Sequence, residues 1–298
     1  MTQNKVLKGV LLVGIGAASY GMLATVVKMA YADGYTTSEV TISQFVLGIL
    51  GVLIINAFQK AKNGSEVVKA SLNQILQLGL SGTALGLTSV FYYLALKYIS
   101  VSIAVVLLMQ TVWMSVLLEA MLEKKIPSKR KIISVVLVLI GTLLATNVLQ
   151  SETQLDWRGL VLGLLTAASF SVTMFTANRV ATTISSAQRS LYMLMGGTCI
   201  AFAFAAATQN TPFHFEIFIK WGIFLSLFGT IIPPILMNAG FPFTGIGLGS
   251  IVAALELPVS VVMAYFILDE KVLLIQWIGI GLILFAVFIM NSNFNKNK

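Results

Sequence analysis

Charge is what this chain has least of. Only 10% of its 298 residues are Asp, Glu, Lys or Arg, where a soluble domain carries roughly a quarter, and its mean hydropathy is +0.92. So few charges cannot cover a surface in water, which excludes an aqueous fold and makes the bilayer the solvent. Cysteine and histidine each occur once, as Cys199 and His214. That excludes an intramolecular disulfide, a multi-cysteine metal site and any Cys/His cluster. There is no Ser/His/Asp set and no HExxH motif, so enzymatic chemistry finds no residues to carry it. Gly245, Gly247 and Gly249 superficially resemble a nucleotide loop, but no strand precedes them and the spacing is wrong. They are expected instead to thin the start of a helix. No cofactor, no metal site and no nucleic-acid partner are expected.

What the chain does have is a succession of apolar runs bounded by turn or charge signals. They predict an all-α integral membrane protein with spans at Leu7–Ala30, Thr37–Phe58, Leu72–Leu96, Val101–Leu122 and Ile132–Leu149. Further spans follow at Gly159–Val180, Gln188–Thr208, Ile217–Asn238, Gly245–Leu268 and Leu273–Asn291. The first run is longer than the apolar core of a signal peptide and is kept as a span. The net charge of +8 reads as a topology signal, because the basic residues cluster at alternate span ends. With the first residue inside, Lys60, Lys62, Lys69, Lys124, Lys125, Lys129, Arg130, Lys131, Arg179 and Arg189 all fall on the inner side. Both termini are therefore expected in the cytoplasm.

The chain also repeats itself. Laid over Trp157–Ser171, the segment Leu7–Gly21 matches at Gly9, Leu12, Ala17, Ala18 and Ser19, and Tyr20 meets Phe170. Later, Val112, Glu123 and Lys124 meet Val259, Glu270 and Lys271. Two units are expected, 1–150 and 151–298. An odd number of spans per unit makes the second enter the membrane from the opposite side. Inverted repeats of this kind are a recurring plan in secondary transporters, with the substrate site near mid-membrane where the units meet.

Ala17-Ala18-Ser19-Tyr20 and Ala167-Ala168-Ser169-Phe170 open the two units. With Tyr92-Tyr93-Leu94-Ala95-Leu96-Lys97-Tyr98, the stretch from Glu256-Leu257-Pro258-Val259 to Asp269-Glu270-Lys271, and Gln276-Trp277-Ile278-Gly279, they make the chain resemble the EamA-type drug/metabolite transporters over nearly its whole length. The resemblance implies ten helices, a central cavity lined by the first, third and fourth helices of each unit, and alternating access. It also implies export of amino acids or other small metabolites across a bacterial inner membrane. Two positions depart from the family pattern: Thr111 stands where a proline is usual, and Leu257 separates Glu256 from Pro258. One residue is about 100° of helix rotation, so the role of the family's glutamate does not carry directly to Glu256.

The residues themselves single out a few positions. Glu256 is an acidic group near the middle of an apolar span, where charge is costly, so it is the candidate for proton coupling or cation binding; the alternative is a neutral side chain bonded to backbone freed by Pro258. Pro258, Pro233 and Pro234 should remove helical hydrogen bonds to Ala254, Gly229 and Thr230, making them candidate hinges or static kinks. Tyr20, Tyr92, Gln110, Trp113 and Asn238 lie on helices that the family uses for its cavity and are the candidate substrate contacts; interhelical hydrogen bonding is the competing role. Gly79, Gly82 and Gly86 form a small-residue face for close helix packing. Lys28, Lys97 and Arg179 lie toward span ends, which favours a small neutral or zwitterionic, amino-acid-like substrate over a phosphorylated or nucleotide-linked one. A channel would need a ring of like groups along an open pore.

Overall fold

The computed structural model describes residues 3–63, 68–95, 98–99, 101–146, 156–269 and 272–291. The expected boundary at 150/151, both chain ends, and Leu96, Lys97, Glu270 and Lys271 of the motifs lie outside the described residues. Among the described residues every regular element is a helix, as lipid demands of a chain that must satisfy its own backbone. In order these are α1 (Gln3–Ala32), α2 (Thr37–Asn63), α3 (Leu72–Ala95), α4 (Val101–Leu108), α5 (Thr111–Glu123) and α6 (Lys129–Ala145). Then come α7 (Trp157–Arg179), α8 (Ser186–Thr208), α9 (Ile223–Ser226), α10 (Ile232–Ala253), α11 (Glu256–Ile267) and α12 (Leu274–Asn291). Two π-helical turns, Phe218–Gly222 and Leu227–Ile231, flank α9. Among the described residues, 7 helical stretches are long and apolar enough to cross a membrane; the last, Phe218–Ile267, has 50 residues, more than twice the roughly 20 that one crossing needs.

Side-chain caps set several helix starts. Ser128 accepts from the Lys131 N–H at 3.3 Å, Asp156 from Arg158 at 2.8 Å and Ser185 from Gln188 at 3.2 Å. The expected continuous spans Val101–Leu122 and Gly245–Leu268 are both broken. α4 stops before Met109–Gln110, and α10 stops before Ala254–Leu255. The two breaks share one geometry: Gln110 has φ −60°, ψ −19° and Leu255 has φ −60°, ψ −18°. Both are tightened by short-range bonds, Gln110 N–H to Leu107 and Val112 N–H to Met109 in one, Leu255 N–H to Val252 and Leu257 N–H to Ala254 in the other. This corrects the expectation for Pro258. It lies in the first turn of α11, where a helix needs no donor, and the Ala254 carbonyl is taken by Leu257 at 3.2 Å. Thr111 opens α5 in the same way without a proline.

Pro233 and Pro234 also act differently from expectation. They open α10 directly after a π turn, in which the Ile232 N–H reaches back to Leu227. In that register the carbonyl facing Pro233 belongs to Phe228, and it accepts the Ser19 hydroxyl of α1 at 3.3 Å. Pro242, inside α10, leaves the Asn238 carbonyl without its helical donor, and Arg189 Nη1 supplies one at 2.6 Å. Gly245 then leaves the helix entirely (φ 76°, ψ 172°), a conformation that favours glycine. Its N–H would have served Phe241, whose carbonyl instead accepts Asn178 Nδ2 at 2.6 Å.

The helices pack reciprocally. α1 lies on α10 and α11, while α7 lies on α3 and α4. α2 and α8 run antiparallel, with Ser38 bonded to Thr208 at 2.9 Å at one end and Asn56 to the Ala187 carbonyl at 3.0 Å at the other. α6 and α12 are likewise antiparallel, joined by Ser134 to Ala286 at 3.2 Å and Gln276 to Ala145 at 3.0 Å. The small-residue face of α3 meets α8 backbone to backbone: a Cβ on Gly82 would strike the Met193 carbonyl, and one on Gly196 would strike the Gly79 carbonyl. Gly82→Ala should therefore destabilise the protein by about 3 kcal/mol, read as a lowered melting temperature in detergent. Arg189 is 2% exposed, and its guanidinium donates to the carbonyls of Thr176, Ala177, Val180 and Asn238. Arg189→Met should cost about 3 kcal/mol or more in the same assay, with Arg189→Lys recovering only part because an ammonium lacks the planar fork.

Candidate substrate cavity

A cavity of ≈190 Å³ lies between the helices, space for roughly a dozen waters. α3 contributes Leu85, Thr88, Ser89, Tyr92 and Tyr93, which share one helical face. α1 contributes Tyr20, Gly21, Leu23, Ala24, Val27, Lys28 and Tyr31 on a similar spacing. Gln44 and Phe45 of α2, Val105 and Leu108 of α4 with Met109 beyond it, Thr166 and Phe170 of α7, the turn at Gly229 and Thr230, and Glu256, Leu257 and Ser260 of α11 complete the wall. The α1 and α3 residues belong to the C-terminal halves of their helices, and of the α7 residues Thr166 lies in the N-terminal half with Phe170 just past the middle, so the cavity is displaced toward one end of the bundle.

The floor is made by residues that the repeat makes equivalent. Tyr20 and Phe170 meet edge to face, their ring centroids 6.1 Å apart and their planes at 84°. Below them lies a second void of ≈20 Å³, which shares Tyr20, Leu85 and Phe170 with the cavity and adds Met174, Met193, Met237 and Asn238. The bundle closes beyond it. Arg189 and Asn178 bind α7, α8 and α10 together there, Lys131 pairs with Glu119 against Gly247, and Arg179 pairs with Glu123 at 3.3 Å.

At the cavity's own end the connections are pinned by acidic side chains. Glu39 is fully buried and accepts from the Thr36 N–H at 2.7 Å, the His214 N–H at 2.7 Å and His214 Nδ1 at 2.8 Å. Asp33 pairs with Lys220 at 2.8 Å and accepts from Trp221 Nε1 at 2.6 Å. Lys220 and Trp221 hold the Asp33 carboxyl below the usual carboxylate range.

Among the described residues, the charged side chains in the cavity wall are Glu256 and Lys28. Glu256 is partly exposed to the cavity, opens α11, and lies within electrostatic reach of Tyr20 and Tyr92. Among the described residues its carboxylate makes no hydrogen bond and no ion pair.

Of the residues singled out in the sequence, Tyr20, Tyr92 and Glu256 come together in this wall. Gln110 and Trp113 do not: Trp113 Nε1 donates to Gln110 Oε1 at 2.8 Å, Gln110 Nε2 donates to Val106 at 2.9 Å, and Trp113 is 37% exposed. The break at Met109–Gln110 turns α5 relative to α4, so a continuous helical wheel assigns their faces wrongly. Asn238 is buried below the floor, where its Nδ2 donates to Ser190 at 2.9 Å and its Oδ1 has no protein partner among the described residues. Reading residue types alone passed over Tyr31, Tyr93 and Thr166; the helical spacing of the α1 and α3 polar residues carried the signal for the first two. Among the described residues no group of His, Cys, Asp and Glu side chains comes together to hold a metal ion.

The model of the EamA-like transporter family matches the chain twice, over residues 7–147 and 157–292. No curated protein matches it. A solved crystal structure, titled only as that of a protein, superposes with a TM-score of 0.78 over 95% of this chain and 97% of its own, at 14% identity. Likeness at that identity shows the fold alone. The two family matches take in nearly all of both halves, and the chain belongs to the EamA-like transporter family.

Proposed function

We propose that this chain is a secondary carrier of ten spans in a bacterial inner membrane, with both termini cytoplasmic, and that it exports a small neutral or zwitterionic, amino-acid-like metabolite. Its two five-span units lie in opposite senses and expose the site alternately to each side. The observation that carries this reading is the floor between the two voids. Tyr20 and Phe170, one from each unit, meet there with a cavity on one side and a collapsed pocket on the other. A carrier needs such a division, whereas a channel needs continuity. The antiparallel pairs α2/α8 and α6/α12 support opposite senses for the units. The cavity lies at the end bearing Asp33 and His214, and with the termini inside this corresponds to an outward-facing state.

Tyr20, Tyr92 and Glu256 are the proposed contacts in the occupied state, and Asn238 a contact once the lower pocket opens. Glu256 is also the proposed proton-coupling group, as the carboxylate in the cavity wall. The breaks at Ala254–Leu255 and Met109–Gln110 and the π turn before Pro233 and Pro234 are the proposed hinges, because each already departs from α geometry. A phosphorylated substrate is disfavoured, since Lys28 is the basic side chain in the wall.

Reconstituted vesicles should show saturable flux of at least one small metabolite, with counterflow driven by the same unlabelled compound on the opposite side. Flux that rises linearly with concentration and shows no counterflow would remove the carrier reading. In those vesicles Glu256→Gln should abolish the dependence of flux on a pH gradient while leaving exchange at equal pH measurable; an intact pH response in the variant rules out the coupling role.

A further inference from the structure

Building on the reading of this cavity as the carrier's substrate site, we infer that the group it is shaped to hold is a small organic ammonium ion, seated against Glu256 with Tyr20 and Tyr92 beside it. A carboxylate at the wall of a site within the membrane is costly unless something compensates it. Glu256 reaches the cavity without a hydrogen bond or ion pair among the described residues. Hydroxyl donors are available nearby, yet Thr230 is spent on Gln44 and Ser226, Thr166 on Leu162, and Tyr31 on Thr37. The hydroxyls of Tyr20, Tyr92 and Ser260 share the wall with Glu256 and make no bond to it, and a ligand of opposite charge would supply the compensation.

The rest of the wall suits such a ligand. Six aromatic side chains, Tyr20, Tyr31, Phe45, Tyr92, Tyr93 and Phe170, surround the space. Ring faces attract a poorly hydrated cation, and ammonium groups in aromatic cages gain from this more than neutral molecules do. Tyr92 and Tyr93 already present inclined faces, their centroids 6.1 Å apart with planes at 67°. Lys28 does not oppose this placement. It stands two turns beyond Gly21, the residue that touches the Glu256 backbone, and is therefore about 10 Å further along α1.

The test is calorimetric titration of the full chain in lipid nanodiscs at fixed pH with tetramethylammonium, n-butylammonium, 1-pentanol and butyrate. The two ammonium ions should bind about tenfold more tightly than 1-pentanol, with butyrate weakest. Glu256→Gln should erase that order. Tyr92→Leu should weaken ammonium binding about tenfold and leave 1-pentanol unchanged, while Tyr92→Phe keeps the ring face and the affinity. Because both Tyr92 variants retain Glu256, they test the idea even where Glu256→Gln fails to fold. Equal or tighter binding of the alcohol or the carboxylate, absence of ammonium binding, or a cation preference that survives Glu256→Gln would each overturn it. The carrier reading fails separately: counterflow of an uncharged or anionic metabolite alone overturns the ammonium site only, and ammonium binding without any counterflow overturns the carrier only.

Discussion

In lipid a backbone carbonyl that loses its helical donor has no water to turn to, and most of this architecture follows from how such carbonyls are served. Three of the interruptions are met by side chains from other helices. The π turn before Pro233 is met by Ser19 on α1, the Asn238 carbonyl freed by Pro242 by Arg189 on α8, and the Phe241 carbonyl at the Gly245 break by Asn178 on α7. The polar residues that make these bonds thus fix which helices are neighbours. Interhelical order comes less from burying apolar surface, which lipid would cover equally well, than from satisfying irregular backbone and from backbone contact at glycine faces such as that of α3 on α8.

Much of the fold was legible because it follows from composition and repetition. The apolar runs mark the helices, and the recurrence of Ala-Ala-Ser with an aromatic marks the two family matches. Tyr20, Tyr92 and Glu256 were legible as site candidates because a polar group in an apolar run has few other reasons to exist. Gln110 and Trp113 were chosen because they lie on a helix that the family uses for its cavity, but beside the restart at Thr111 they bond to each other and not into the wall. Nothing in the local sequence of span four announces that restart, since Thr111 replaces the proline that marks it in span nine. Arg189 escaped for another reason. At a helix start it reads as a topology charge, and its burial depends on carbonyls contributed by α7 and α10 from far along the chain.

The site is correspondingly a property of the junction between the units. Six helices and a turn supply its wall, and the aromatic pair at its floor takes one ring from each unit. The ends of the bundle are treated differently. One is bound through buried Arg189 and the Glu119–Lys131 pair, the other through carboxylates that hold connecting segments, with Glu39 fully buried beneath His214. The stronger clasp, four carbonyls on one guanidinium, sits at the closed end.

The matched breaks at Met109–Gln110 and Ala254–Leu255 have a thermodynamic corollary. A perfectly duplicated chain would make its two mirror arrangements degenerate, each populated half the time. This chain lifts the degeneracy at the residues that restart the helices. Thr111, which opens α5, is buried and bonded to Ser171 at 2.9 Å, whereas Glu256, which opens α11, has its side chain in the cavity wall. A hydroxyl likewise distinguishes Tyr20 from Phe170. In the carrier proposed above, this inequality gives the empty protein a preferred resting face, and cargo would have to supply differential affinity to tip it over.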